Sequence, residues 1–229
     1  MSIFDKINSW TDQTVGNIPQ KTRKQKIRLY TEGLKAKITQ VNFALERLSE
    51  FDNKTDDTTT STGQDAFKIT DRVHFYSDTF WTFLYSSLDV LAQIVNQTMN
   101  FGFDEKHVSF DQVNSKLQGN NYCLTSIAKR FKDCANSKVF KNLDRYRNCS
   151  THRRQIYIEE ETKQVKGTAG YESSSTGPVI TVVRTLCDNP LGLNPKTDQK
   201  RKIPDYMVKT RKKILRHIEQ VLKETKAVK

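Results

Sequence analysis

The densest concentration of reactive side chains is the run Asp144-Arg145-Tyr146-Arg147-Asn148-Cys149-Ser150-Thr151-His152-Arg153-Arg154, which holds four arginines and one histidine. Arginine suits phosphate because its planar fork donates two parallel hydrogen bonds. Histidine titrates near neutrality and can move a proton in either direction. Together they supply what RNA cleavage needs without a metal. One group takes the proton of the ribose 2′-OH, and another stabilises the charged phosphorane. The alternative reading of the same run is a helix end carrying a solvated basic cluster.

Spacing constrains the first reading. Arg147 and His152 fall in a segment, residues 137–152, whose pattern predicts a helix. Five helical positions turn through about 140°, so the two side chains would not share one face of an ideal helix. Either the helix ends or deforms near Ser150-Thr151, or a second copy of the chain completes the site.

The other chemical signatures are missing. The chain has no GxxxxGK[ST], GxGxxG, HExxH or GxSxG. The remaining histidines have plain readings: His107 in a loop, His217 in a basic helix near the C-terminus, and His74 among buried aromatics. Cys123, Cys134, Cys149 and Cys187 form no CxxC pair, so neither a zinc site nor a disulfide framework is expected. Reduced thiols imply a cytoplasmic protein. No metal and no cofactor is expected.

Several elements must position the basic run. Residues 1–20 read as an N-terminal arm ending at Pro19. A helix follows from Thr22, with Ile27, Leu34, Ile38, Val41, Leu45 and Leu48 at helical spacing and Lys21, Arg23, Lys24, Lys26 and Arg28 on its opening turns. Residues 52–65 contain no apolar side chain and read as a loop. A second long helix is predicted over 66–97, apolar most of the way round and therefore central. Shorter helices are predicted at 109–117, 122–134 and 137–152. Ile156-Tyr157-Ile158 and Val179-Ile180-Thr181-Val182-Val183 alternate like two strands of a hairpin. A last helix, about 205–226, has Met207, Ile214, Leu215, Ile218, Val221 and Leu222 as its stripe and Lys209, Arg211, Lys212, Lys213 and Arg216 on its wet side. The organisation expected is one domain over 1–229, with a core at about 22–160, a hairpin at about 155–187 and the last helix.

The totals bound the partners. Hydrophobic residues make up 35% of the 229, enough for a core, while 38 Lys and Arg against 26 Asp and Glu leave +12. That surplus attracts polyanions, nucleic acids first; a solubility surface is the plainer explanation. The first residues, Met-Ser-Ile-Phe-Asp-Lys, do not form a signal peptide. The most apolar stretch, 75–95, is broken by Asp78 and Asp89, which suits a buried helix better than a membrane span.

Arg147-Asn148-x-x-x-His152 resembles the R-N-x-x-x-H signature of the HEPN superfamily, the "higher eukaryotes and prokaryotes nucleotide-binding" helical domains. The helix Phe80-Trp-Thr-Phe-Leu-Tyr-Ser-Ser-Leu-Asp-Val-Leu-Ala-Gln is similar to the long helix of a bacterial subgroup, with Asp89 following a Leu amid aromatics. The likeness covers roughly residues 66–160. It implies a mostly α fold, a HEPN-like bundle of about five helices with the β-hairpin as an elaboration, and usually a homodimer. Active members cut RNA without metal; others bind RNA or a nucleotide, or act as scaffolds and partners. By position, Arg147 would bind and polarise the phosphate, His152 would be the general base or acid, and Asn148 would orient the backbone or phosphate. Arg145, Arg153 and Arg154 would bind RNA. A toxin or defence effector, with an antitoxin protein as partner, belongs to the same expectation.

Overall fold

The computed structural model describes residues 2–53, 63–119, 125–152, 156, 158–165, 179–186, 190 and 201–225; side chains are described for 2–50, 71–119, 125–151, 156, 158, 185, 186, 190 and 202–225. The predicted arm is a helix, α1 (Ile3–Asn17). Ser2 caps it: its hydroxyl accepts from Asp5 N at 3.1 Å, and its own N–H donates to Asp5 Oδ2 at 2.8 Å. Ile7, Trp10, Thr14 and Val15 form its buried face. Ile18 precedes Pro19 and turns extended, which ends the helix.

Two long helices follow, α2 (Lys21–Asn53) and α3 (Gly63–Met99). They pack lengthwise, with Ile27, Leu34, Ile38, Val41 and Leu48 of α2 facing Phe80, Leu84, Leu88, Leu91 and Val95 of α3 in one core. The expected central helix is thus α3, which also meets α4, α6 and α7. It closes on Asn100, left-handed at φ 54°, with Phe101 N donating back to Asn96 O at 3.2 Å. Arg23 of α2 donates to the carbonyls of Gln97 and Thr98, so one basic residue of the α2 opening caps the end of α3.

Three short helices come next: α4 (Phe110–Leu117), α5 (Ser126–Asn136) and α6 (Lys138–His152). Ser109, Thr125 and Ser137 each accept a backbone N–H at their start. The predicted hairpin is present, but its first strand starts at Ile158, where the predicted Ile156–Ile158 strand ends: β1 (Ile158–Val165) pairs antiparallel with β2 (Val179–Leu186), Ile158 opposite Leu186. A short third strand, β3 (Arg201–Lys202), adds to β2. Ile156 and Leu186 are buried in the helical core and root the hairpin there.

Helix α7 (Ile203–Thr225) touches α1, α2, α3, α5 and α6. Its apolar stripe is the predicted one, joined by Tyr206, whose hydroxyl accepts from Asn142 Nδ2 of α6 at 2.9 Å. Its pairing with α1 is closed by Lys6 and Glu219 at 2.8 Å. The fold is mostly α, with seven helices among the described residues against the five or so expected. Six of them match the six helical segments predicted, and α1, whose Thr-rich face carries few aliphatic signals, is the addition. None of the described helices is long and apolar enough to cross a membrane.

Candidate functional site

Helix α6 carries the basic run, and its buried face decides where the run points. Phe140, Leu143, Tyr146 and Cys149 recur at intervals of three and face inward. Tyr146 stacks on Trp81 of α3 with ring centroids 4.3 Å apart. Residues one position off this stripe emerge along its flank, where Arg147 lies.

The Arg147 guanidinium carbon sits 4.0 Å above the Tyr85 ring centroid. Its ion pair is with Asp144 of the same helix, whose Oδ1 is 3.8 Å from an Arg147 nitrogen, beyond hydrogen-bonding distance. The Arg147 side chain keeps 26% of its surface exposed, so it is not consumed in a buried salt bridge to Asp78 or Asp89. Its Nε is buried with no hydrogen-bond partner. The cluster therefore contains a cation held by a ring face, with accessible surface remaining.

Three elements bring carboxylates close to it. Asp89 of α3 accepts from Phe110 N at 3.0 Å, at the start of α4. Burial raises its pKa, while the Phe110 N–H and the Arg147 charge pull it down. Asp111 is likewise raised, by burial and by the charge of Asp144, and lowered by Arg147 and by its contact with the Tyr85 hydroxyl. The Tyr85 phenol is pushed up to about 12, chiefly by burial and then by Asp111, while a hydrogen bond from the Arg147 guanidinium to its hydroxyl pulls it down. Further along α3, burial raises Asp78, whose carboxyl takes a hydrogen bond from Ser150 near the end of α6. One α3 face thus presents Asp78, Tyr85 and Asp89 to α6 (sequence steps of seven and four, two turns and then one).

The remaining expected residues are placed as follows. Asn148 is half-buried and Arg145 is exposed on α6. His152 is the last residue of α6, but its side chain lies outside the described residues, as do Arg153 and Arg154. The helix does not end at Ser150-Thr151: Thr151 Oγ1 donates to Arg147 O at 2.9 Å and the α-helix runs on to His152. The two signature positions therefore keep the roughly 140° separation of a regular helix. Of the other histidines, His107 is exposed in a loop, 3.9 Å from Asp104, and His217 is half-buried on α7. Cys134 and Cys149 are buried thiols outside any disulfide, with burial pushing Cys134 up to about 12; Cys123 and Cys187 lie outside the described residues. Among the described residues, no three His, Cys, Asp or Glu side chains converge so as to hold a metal ion.

Tyr85 and Asp111 were not singled out from the sequence. The available signal was weak: Tyr85 is a polar ring, one turn from Asp89, on a helix apolar nearly all round.

Comparison with known proteins gives a family. No curated protein and no solved structure matches the chain. The family model described as Cthe2314-like HEPN matches residues 30–189, a span that runs from α2 through β2 and takes in the whole of α3 and α6. With that match covering well over half of the sequence, the chain belongs to the Cthe2314-like HEPN family.

Proposed function

We propose that this protein is a metal-independent endoribonuclease that cleaves RNA through the ribose 2′-OH, acting as a toxin or defence effector in the cytoplasm. The observation that carries the reading is the state of Arg147: ring-supported, partly exposed, and 3.8 Å from its nearest paired carboxylate oxygen. Its fork is available to a phosphate. In the reaction, His152 takes the proton of the 2′-OH as the oxygen attacks phosphorus. Arg147 stabilises the charge that builds on the phosphorane oxygens. The P–O5′ bond breaks, the 5′-oxygen leaves as a hydroxyl with a proton returned by the imidazolium or by water, and a 2′,3′-cyclic phosphate remains. Asn148 orients the backbone or the phosphate, and Arg145, Arg153 and Arg154 hold the flanking strand.

Because α6 stays helical through His152, the two signature positions stand about 140° apart around its axis. A two-fold homodimer resolves this, with α3 and α6 near the axis and each cleft drawing on both copies. Light scattering should then give twice the 26.5 kDa chain mass. All 229 residues act as one domain, with the hairpin as an elaboration and an antitoxin protein as the regulatory partner.

The same divergence favours a second reading, a non-catalytic module that binds RNA or a nucleotide. Incubating single-stranded RNA with the protein and a chelator separates the two. The ribonuclease reading expects cleavage with cyclic-phosphate ends. Binding without cleavage in the dimer would move the module reading in front.

A further inference from the structure

Tyr85 is 3% exposed in the seam between α3 and α6. Two residues of α6, two turns apart, hold its ring: Phe140 packs against it with centroids 5.9 Å apart, and Arg147 lies over its face at 4.0 Å. Its hydroxyl meets the Asp111 carboxyl at the start of α4. Three elements therefore fix the plane of one ring, and the ring carries the one cation of the signature.

How a guanidinium is held decides what it can still do. A carboxylate takes it by the N–H edge, the edge that would grip a phosphate. A ring takes it by the face, through attraction to the π-system, and leaves the in-plane donors unspent. Asp144 at 3.8 Å is too distant to claim that edge with a hydrogen bond. Asp89 and Asp111 add charge nearby without an ion pair to Arg147 among the described residues. A carboxylate-held arginine would have to break its own salt bridge to bind an anion. A ring-held arginine is already oriented.

We propose that Tyr85 is the positioning residue of this site: its ring face sets the plane of the Arg147 guanidinium and reserves the N–H edge for a phosphodiester. For the ligand class, the inference rests on the function proposed above; for the arrangement itself, it rests only on the geometry of α3, α4 and α6. The hydroxyl also takes one N–H of the guanidinium, but the cation rests on the ring face, and its remaining in-plane donors stay open.

The test uses the full chain and a single-stranded 2′-O-methyl RNA, which cannot be cut, as the binding probe. Arg147→Ala should weaken binding on the order of tenfold, the scale of a charged hydrogen bond. Tyr85→Leu should lose a comparable factor. The double variant should be no worse than either single one, because the ring acts only through the arginine. Tyr85→Phe should bind like the parent. Losses that multiply in the double variant, or a Tyr85→Phe as poor as Tyr85→Leu, overturn the proposal. The Arg147 Nε–H resonance supplies a readout that needs no RNA: the ring current should shift it upfield in the parent and in Tyr85→Phe, but not in Tyr85→Leu. An unshifted resonance in the parent also overturns it. Circular dichroism confirms that each variant is folded. If the parent binds the probe with this coupling yet leaves unmodified RNA intact, the ribonuclease reading fails and the role of Tyr85 stands.

Discussion

Trp81 of α3 and Tyr146 of α6 lie face to face, with ring centroids 4.3 Å apart and planes 11° from parallel. Both are fully buried, and Tyr206 of α7 leans on the pair with centroids 5.8 Å and 6.3 Å away. Arg147 is the next residue in the chain, so this stack sets the register in which α6 delivers its guanidinium to Tyr85. Tyr146→Ala should cost about 3–5 kcal/mol, the range for truncating a buried aromatic. Urea unfolding monitored by circular dichroism checks it. A loss under about 1 kcal/mol would mean that the α3–α6 seam is held elsewhere.

The chemistry can be separated from the architecture. His152→Ala should slow cleavage by about 10²–10⁴, the usual contribution of a proton-transfer group. Arg147→Ala should cost about 10²–10³ through lost stabilisation of the transition state. Arg147→Lys should recover little, because a point charge cannot reproduce a planar fork. His217→Ala should leave the rate unchanged. Single-turnover assays in EDTA measure all four, and cleavage persisting in the double variant of Arg147 and His152 would move the site elsewhere. DNA, lacking the 2′-OH, should bind and survive.

The +12 charge should appear as salt dependence. Lysines and arginines of the α2 opening, of α6 and of the wet side of α7 would neutralise RNA phosphates and release counterions. Affinity for single-stranded RNA should fall about tenfold or more between low and physiological salt, measured by fluorescence anisotropy. The Arg23 contribution should be small, since its guanidinium is committed to the α3 carbonyls. A flat salt profile would reduce the surplus charge to a solubility device.

Burial depresses the pKa of His217; Asp133 opposes the shift, while Arg130 and Arg216 add to it. The folded chain then holds that proton less readily than the unfolded one. The stability this contributes is complete above the ordinary value of 6.5 and is lost as pH falls through the lower folded value. Melting temperature should therefore drop on acidification more steeply in the parent than in His217→Gln. Parallel profiles would show the imidazole to be too well solvated to matter.

Helical periodicity made α2, α3, α6 and α7 legible, because each buries aliphatic or aromatic residues at steps of three and four. The resemblance pointed to a candidate site, since Arg147, Asn148 and His152 fit one six-residue signature. Helix α1 was harder to read: its inward face mixes Ile7 and Trp10 with Thr11 and Thr14, and the Ser2–Asp5 capping box was the better clue. Strand β1 extends to Val165 through Glu159-Glu160-Glu161-Thr162-Lys163-Gln164, a polar run with no alternation of its own; pairing with the β-branched β2 carries it. Tyr85 could not be assigned because its role depends on which helix lands beside it. Ring spacing on α3 shows a face, but not that Arg147 and Phe140 will meet it.

The pairing of α1 with α7 joins positions 213 residues apart through Lys6 and Glu219. Trp10 belongs to that seam, lining a cleft with Leu222, whereas Trp81 belongs to the stack beneath Arg147. These are the two tryptophans of the sequence. The molecule thus carries two built-in optical reporters, one indole where α1 meets α7 and the other where the signature helix is seated. Replacing either indole with phenylalanine leaves a single tryptophan, so release of the terminal seam and loosening of the signature helix can be followed in two separate variants, each by the red shift of its remaining indole.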